Sequence, residues 1–115
     1  MTVKIYHNPR CSKSRQTVAL LEDRGIKYEI IEYLKTPPTK TELSQILSML
    51  GIGPRSLMRK KETEYRTAGL DNPSLDDATL IAAMITHPIL IERPIVVSKN
   101  KAVIGRPPEN VLDIV

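Results

Sequence analysis

The first apolar pattern in the chain is an alternation. Val3-Lys4-Ile5-Tyr6 sends successive side chains to opposite faces, as a half-buried strand does. The turn residues His7-Asn8-Pro9-Arg10 follow, then Cys11, and the period becomes helical over residues 12–24, with Gly25 as a left-handed stop. Residues 28–34, rich in Tyr and Ile, predict a second strand, and a β-α-β succession makes the two strands parallel. Beyond Thr36-Pro37-Pro38, Thr39-Lys40-Thr41-Glu42 has the form of a capping box. Leu43, Ile46, Leu47 and Leu50 recur behind it at i, i+3, i+4 and i+7, and Gly51 closes the helix. Residues 55–60 predict one or two helical turns, and residues 62–70 a short helix ending at Gly69. Ser74-Leu75-Asp76-Asp77 predicts another capping box, ahead of the stripe Leu80, Ile81, Met84 and Ile85, with a stop at His87-Pro88. Ile95-Val96-Val97-Ser98 is a nearly continuous apolar run suited to a buried strand. Lys99-Asn100-Lys101 predicts a hairpin turn, residues 102–105 the return strand, and residues 109–115 a short final helix whose first turn tolerates Pro107 or Pro108.

A parallel β-α-β half and an antiparallel hairpin half joined by a crossover form the thioredoxin-like plan. The expectation is therefore an α/β fold with a mixed four-stranded sheet, in a single domain of residues 1–115 with an enlarged helical insertion at about 36–91. A chain of 115 residues buries about two thirds of its unfolded surface, enough for a core without staples. With no Trp or Phe, that core falls to Leu, Ile, Val and Met. No apolar run is long enough to span a membrane, and the N-terminus lacks the apolar stretch of a signal peptide. A single cysteine cannot close an internal disulfide, which agrees with the reducing cytoplasm. The formal charge of +4 is modest, and the 3% aromatic residues do not interleave with the basic ones, so the excess suits a small anionic ligand better than nucleic acid.

That only cysteine, Cys11, falls where the first strand turns into the first helix. Orphan N–H groups and the helix dipole favour an anion there, a thiolate included. A free thiol titrates near about 8.5, and helix N-termini with basic neighbours bring it to roughly 3.5–7.5. His7, Arg10, Lys13 and Arg15 are such neighbours in sequence. The competing role for a lone cysteine is that of a small buried hydrophobe. Ser14 takes the place of the second thiol of a Cys-x-x-Cys pair, so a mixed disulfide on Cys11 has to be resolved from outside, by glutathione or a partner protein. The Ser14 hydroxyl either donates to the thiolate or caps the helix, and His7 is either a supporting imidazolium or a plain turn residue. Arg59, Arg93 and Arg106 each stand beside structure breakers. Their planar forks can grip an oxyanion, or they are surface residues and carboxylate partners. Pro94 occupies the position that thioredoxin-type sites give to a cis-proline, an argument from fold analogy. Cys11, His7 and His87 lack a metal-ligand spacing, no Gly-rich phosphate loop is present, and no tightly bound cofactor is expected.

Taken together, His7-Asn8-Pro9-x-Cys11-x-x-Ser14-Arg15, Tyr33-Leu34-x-x-Pro37-Pro38, Leu57-Met58-Arg59-Lys60, His87-Pro88-Ile89-Leu90-Ile91-x-Arg93-Pro94 and Arg106-Pro107-x-Glu109 resemble, in this order, the glutaredoxin-dependent type of the arsenate reductase family. The resemblance implies that Cys11 is the nucleophile, that Arg59, Arg93 and Arg106 bind the oxyanion, and that His7 and Ser14 support the low thiol pKa. It further implies glutathione as co-substrate and glutaredoxin as the partner that resolves the mixed disulfide. Ser12-Lys13 departs from the Gly-Thr common in this type, adding charge and bulk beside the nucleophile. The competing functions are another glutathione-linked thiol oxidoreductase and a non-enzymatic regulatory protein of the same fold. The regulators of that fold carry a Cys-x-x-Cys switch, which Ser14 precludes.

Overall fold

Residues 2–115 are described by a computed structural model. The chain forms two compact units, one running up to Thr36 and resuming at Arg93, the other Pro37–Glu92.

The first unit is built on β1 (Val3–Tyr6), α1 (Ser12–Asp23), β2 (Tyr28–Ile31), β3 (Ile95–Ser98) and β4 (Lys101–Ile104). The strands make one four-stranded sheet in the order β2-β1-β3-β4. β1 runs parallel to β2 and antiparallel to β3, and β3 and β4 form the hairpin, so the sheet is mixed and thioredoxin-like. The pairing of Ile5 with Val96 puts two fully buried residues at the centre. Around them Val3, Leu21 and Val111 complete the core, with Val18, Ile26, Val103 and Ile114 packed at its edge. β2 is shorter than the predicted strand, because the chain turns at Glu32, whose carbonyl accepts from the amides of Lys35 and Thr36. The hairpin turn is Lys99-Asn100 alone: Lys101 opens β4, and Lys99 takes the left-handed conformation at φ 58°. The C-terminal segment is a 3-10 helix, Pro108–Asp113, tightened by i to i+3 bonds such as Asn110 N–H to Pro107 C=O. It packs on α1.

The second unit holds α2 (Lys40–Leu50), α3 (Pro54–Leu57), α4 (Thr63–Thr67), α5 (Asp77–Thr86) and a 3-10 turn, Pro88–Leu90. The capping box of α2 is complete: Thr39 Oγ1 accepts from the Glu42 amide at 3.1 Å and Glu42 Oε1 from the Thr39 amide at 2.9 Å. Leu43, Ile46 and Leu47 are its buried face, turned to α5, whose Leu80 and Met84 are buried in return. The cap of α5 differs from the expected box. Asp76, not Ser74, takes the N-cap position and accepts from the Thr79 amide at 2.9 Å, because the helix starts two residues later. Arg55 braces this unit internally, donating to Tyr65 Oη and to the carbonyls of Leu70 and Asn72. Among the described residues no helix is long and apolar enough to cross a membrane.

Candidate active site

β1 ends at Tyr6, and the four residues after it are wired to the helix that follows. Asn8 does most of this. Its carbonyl accepts the Cys11 amide at 3.0 Å, its side-chain Oδ1 accepts the Arg10 amide at 3.0 Å, and its own amide donates to Ser14 Oγ at 3.0 Å. Cys11 is thereby held as the N-cap of α1, in extended conformation, with its side chain making no cap bond. The buried stripe of α1 begins with two hydroxyls, Ser14 and Thr17, before reaching Leu21. Both hydroxyls are satisfied, as burial requires: Ser14 by Asn8 and by His7 Nδ1 at 2.6 Å, Thr17 by the Lys13 carbonyl at 2.9 Å.

The half-buried Cys11 thiol meets three donors from two directions. The Ser14 backbone N–H points at it from α1, and the guanidinium groups of Arg93 and Arg106 lie against it, Arg106 Nη1 at 3.8 Å from Sγ. The same Nη1 donates to the Arg93 carbonyl at 3.0 Å, so one arginine anchors on the backbone of the other. Burial alone pushes the thiol pKa up, but the Ser14 N–H and then the Arg93 and Arg106 guanidiniums outweigh it and hold the thiol below its ordinary range. An anion, thiolate or incoming oxyanion, is what this arrangement favours.

Of the residues read from the sequence, Cys11, Ser14, Arg93 and Arg106 meet, and His7 adjoins them through Ser14. Ser14 serves neither of the roles expected of its hydroxyl. That group bridges His7 and Asn8, while its backbone N–H faces the thiol. Burial lowers the His7 pKa, Glu32 opposes that and Arg15 adds to it, leaving a net fall. That fall favours the neutral ring, which reaches the site through its 2.6 Å contact with Ser14 Oγ. Arg59 belongs to the helical unit. There its guanidinium pairs with Glu62 at 3.0 Å and Glu92 at 2.8 Å, and its amide bonds the Leu90 carbonyl beside the Met58–Ile91 bridge. The Arg93–Pro94 bond is cis, in the position that fold analogy gave it, and Arg106–Pro107 is cis as well. Asn8 was missed, although Asn before Pro after a strand is a turn signal in which the side chain bonds the backbone two residues on. No group of three or more His, Cys, Asp or Glu that could hold a metal occurs among the described residues.

The ArsC family model matches residues 6–114. An arsenate reductase of Neisseria meningitidis serogroup A is 52% identical over 110 residues, covering 95% of this chain and 94% of that protein. An arsenate reductase of Haemophilus influenzae is 51% identical over 115 residues, covering 99% of each. The solved structure of an arsenate reductase from Vibrio cholerae superposes with a TM-score of 0.96 at 52% identity, covering 100% of this chain and 98% of that one.

Proposed function

The chain belongs to the ArsC family, and from that premise we propose that it reduces arsenate to arsenite with Cys11 as the nucleophile. One observation carries this reading: the only thiol of the chain stands at a helix N-terminus against Arg93 and Arg106, with its pKa lowered by them and by the Ser14 N–H. Arsenate and thiolate are both anions, and at about 4 Å two unit charges repel by roughly 4 kcal/mol at an effective dielectric constant of 20. Fixed cations at that point offset the repulsion and stabilise the charge that develops as sulfur attacks arsenic.

In the proposed sequence the Cys11 thiolate forms an S–As bond and the arsenic centre loses an oxygen as water. Glutathione then attacks as the second thiol. The two sulfurs become a mixed disulfide on Cys11, giving up two electrons, and arsenic passes from the pentavalent to the trivalent state and leaves as arsenite. Glutaredoxin takes the glutathionyl group and returns Cys11 to thiolate. Ser14 gives the chain no second thiol for an internal exchange, which supports an external reductant. Arg93, Arg106 and Arg59 bind the oxyanion in this reading, as the family resemblance implies. His7 and Ser14 support the thiolate, the compartment is the cytoplasm, and no resident cofactor takes part.

The test is arsenate-dependent NADPH consumption in the presence of glutathione, glutaredoxin and glutathione reductase. Turnover that disappears in Cys11→Ser, with KM for arsenate raised about tenfold or more in Arg93→Ala, is the expected result, the loss of a charge-assisted bond being worth about 1.5–3 kcal/mol. Full turnover in Cys11→Ser would sink the mechanism. A folded protein with an ionised Cys11 and no turnover would assign the site to a different substrate, with Ser12-Lys13 the first place to look.

A further inference from the structure

Gly105 sits at the end of β4, directly before Arg106, and is buried. Its φ lies outside the left-handed region, so the backbone does not demand glycine there. Space does. A β-carbon on Gly105 would stand 2.8 Å from Thr17 Oγ1, 2.9 Å from Pro94 Cγ and 3.4 Å from Val111 Cγ1. The first two distances are shorter than a carbon can tolerate, and neither neighbour is a limp side-chain end. Thr17 is fully buried on α1 with its hydroxyl fixed on the Lys13 carbonyl. Pro94 is a buried ring, and its carbonyl accepts the Gly105 amide at 2.9 Å. A methyl group at residue 105 therefore has to move backbone, either at Pro94 or in the first turns of α1.

Both movable pieces carry the donors that face Cys11. Pro94 is bonded to Arg93, and Arg106 follows Gly105 and rests on the Arg93 carbonyl at 3.0 Å. On the other side, Thr17 lies one turn along α1 from Ser14, whose N–H points at the thiol. We propose that Gly105 is a positioning residue of the thiol site, its missing side chain allowing α1, the Pro94 segment and the end of β4 to close together behind Cys11 so that Arg93, Arg106 and the Ser14 N–H converge on one sulfur. This deepens the reading of Cys11 as the reacting group, and it is tested on the thiol itself, without arsenate, so that its failure is distinct from the failure of arsenate reduction.

The experiment compares the parent protein, Gly105→Ala, Thr17→Ala and the Thr17→Ala/Gly105→Ala double variant. Thermal unfolding is read for each, together with the pH dependence of iodoacetamide alkylation of Cys11. Gly105→Ala is expected to fold, with the alkylation midpoint moved to higher pH and the rate near pH 6 reduced about threefold, a loss of thiolate partly offset by the greater nucleophilicity of a more basic sulfur. The double variant, relieved of the closest contact, is expected to lie nearer to Thr17→Ala than Gly105→Ala lies to the parent. A folded Gly105→Ala with the parent's alkylation profile overturns the proposal. If Gly105→Ala does not fold, the double variant is read against Thr17→Ala: the contact with Pro94 Cγ at 2.9 Å remains in it, so a smaller shift of the alkylation midpoint to higher pH is expected, and identical profiles overturn the proposal. Failure of both to fold also overturns it, since the glycine is then a requirement of the fold and not of the site.

Discussion

At Cys11, charge and geometry can be separated by changing one donor. Arg106 touches both the sulfur, at 3.8 Å, and the Arg93 carbonyl, at 3.0 Å. Arg106→Ala removes both contacts, and the Cys11 alkylation rate near pH 6 is expected to fall about three- to tenfold as the midpoint rises. Arg106→Lys keeps a charge but not the planar fork, and its loss is expected to be smaller. The same thiol links pH to folding. Its folded pKa is held below that of an ordinary thiol, so between the two values the unfolded chain binds more protons and stability rises with pH. That contribution is complete above the unfolded value and disappears as pH falls through the folded one. The stability difference between the parent and Cys11→Ser, followed by urea denaturation across that window, is therefore expected to grow with pH, and a constant difference would contradict the lowered pKa. The importance of Cys11 was legible in its place between a strand and a helix. Its meeting with Arg106 was legible only through the family resemblance, because the two residues are 95 positions apart and no local period reports such a contact. Nor was the destination of the Ser14 hydroxyl, which depends on how the loop from His7 to Arg10 folds back.

At the scale of single elements, the caps show which sequence signals carry weight. Thr39 and Glu42 satisfy each other's amides reciprocally, and Thr39→Ala is expected to cost about 1 kcal/mol in a denaturant titration. Ser74-x-x-Asp77 has the same letters in outline, yet Asp76 makes the cap. Several polar residues in a row each offer an acceptor, and the register of the buried Leu80 and Met84 decides which one is used. The short final helix expected at residues 109–115 is a 3-10 helix over Pro108–Asp113, since consecutive prolines at residues 107 and 108 supply no amide donors and the short run closes by i to i+3 bonds. The strands fared better. Ile95–Ser98 has the predicted bounds: its apolar run marks a strand with buried residues on both faces, Ile95 and Val96 being buried on successive, opposite sides.

For the molecule as a whole, the sheet unit and the helical unit each own a core. Leu21 is fully buried in the first, and Leu21→Ala is expected to destabilise the protein by about 2–5 kcal/mol, read from the shift of the urea midpoint at constant slope. The formal charge of +4 acts at longer range. Screening lengths shrink from about 30 Å at 0.01 M salt to about 8 Å at 0.15 M. KM for arsenate is therefore expected to rise over that range, and one independent of salt would confine the attraction to the arginines in contact with the thiol. The sheet order was readable from the succession of elements, because a β-α-β unit and a hairpin leave few ways to assemble four strands. Only the folded chain revealed that Arg59 is occupied by Glu62 and Glu92, carboxylates 3 and 33 residues away from it. A different consequence follows from the solitary, half-exposed sulfur. A fluorine tag or a spin label directed at thiols has one address in the whole chain, at the mouth of α1 beside Arg106. The native sequence is thus already a single-label instrument, whose signal reports the electric surroundings of that one atom without background and without a designed cysteine.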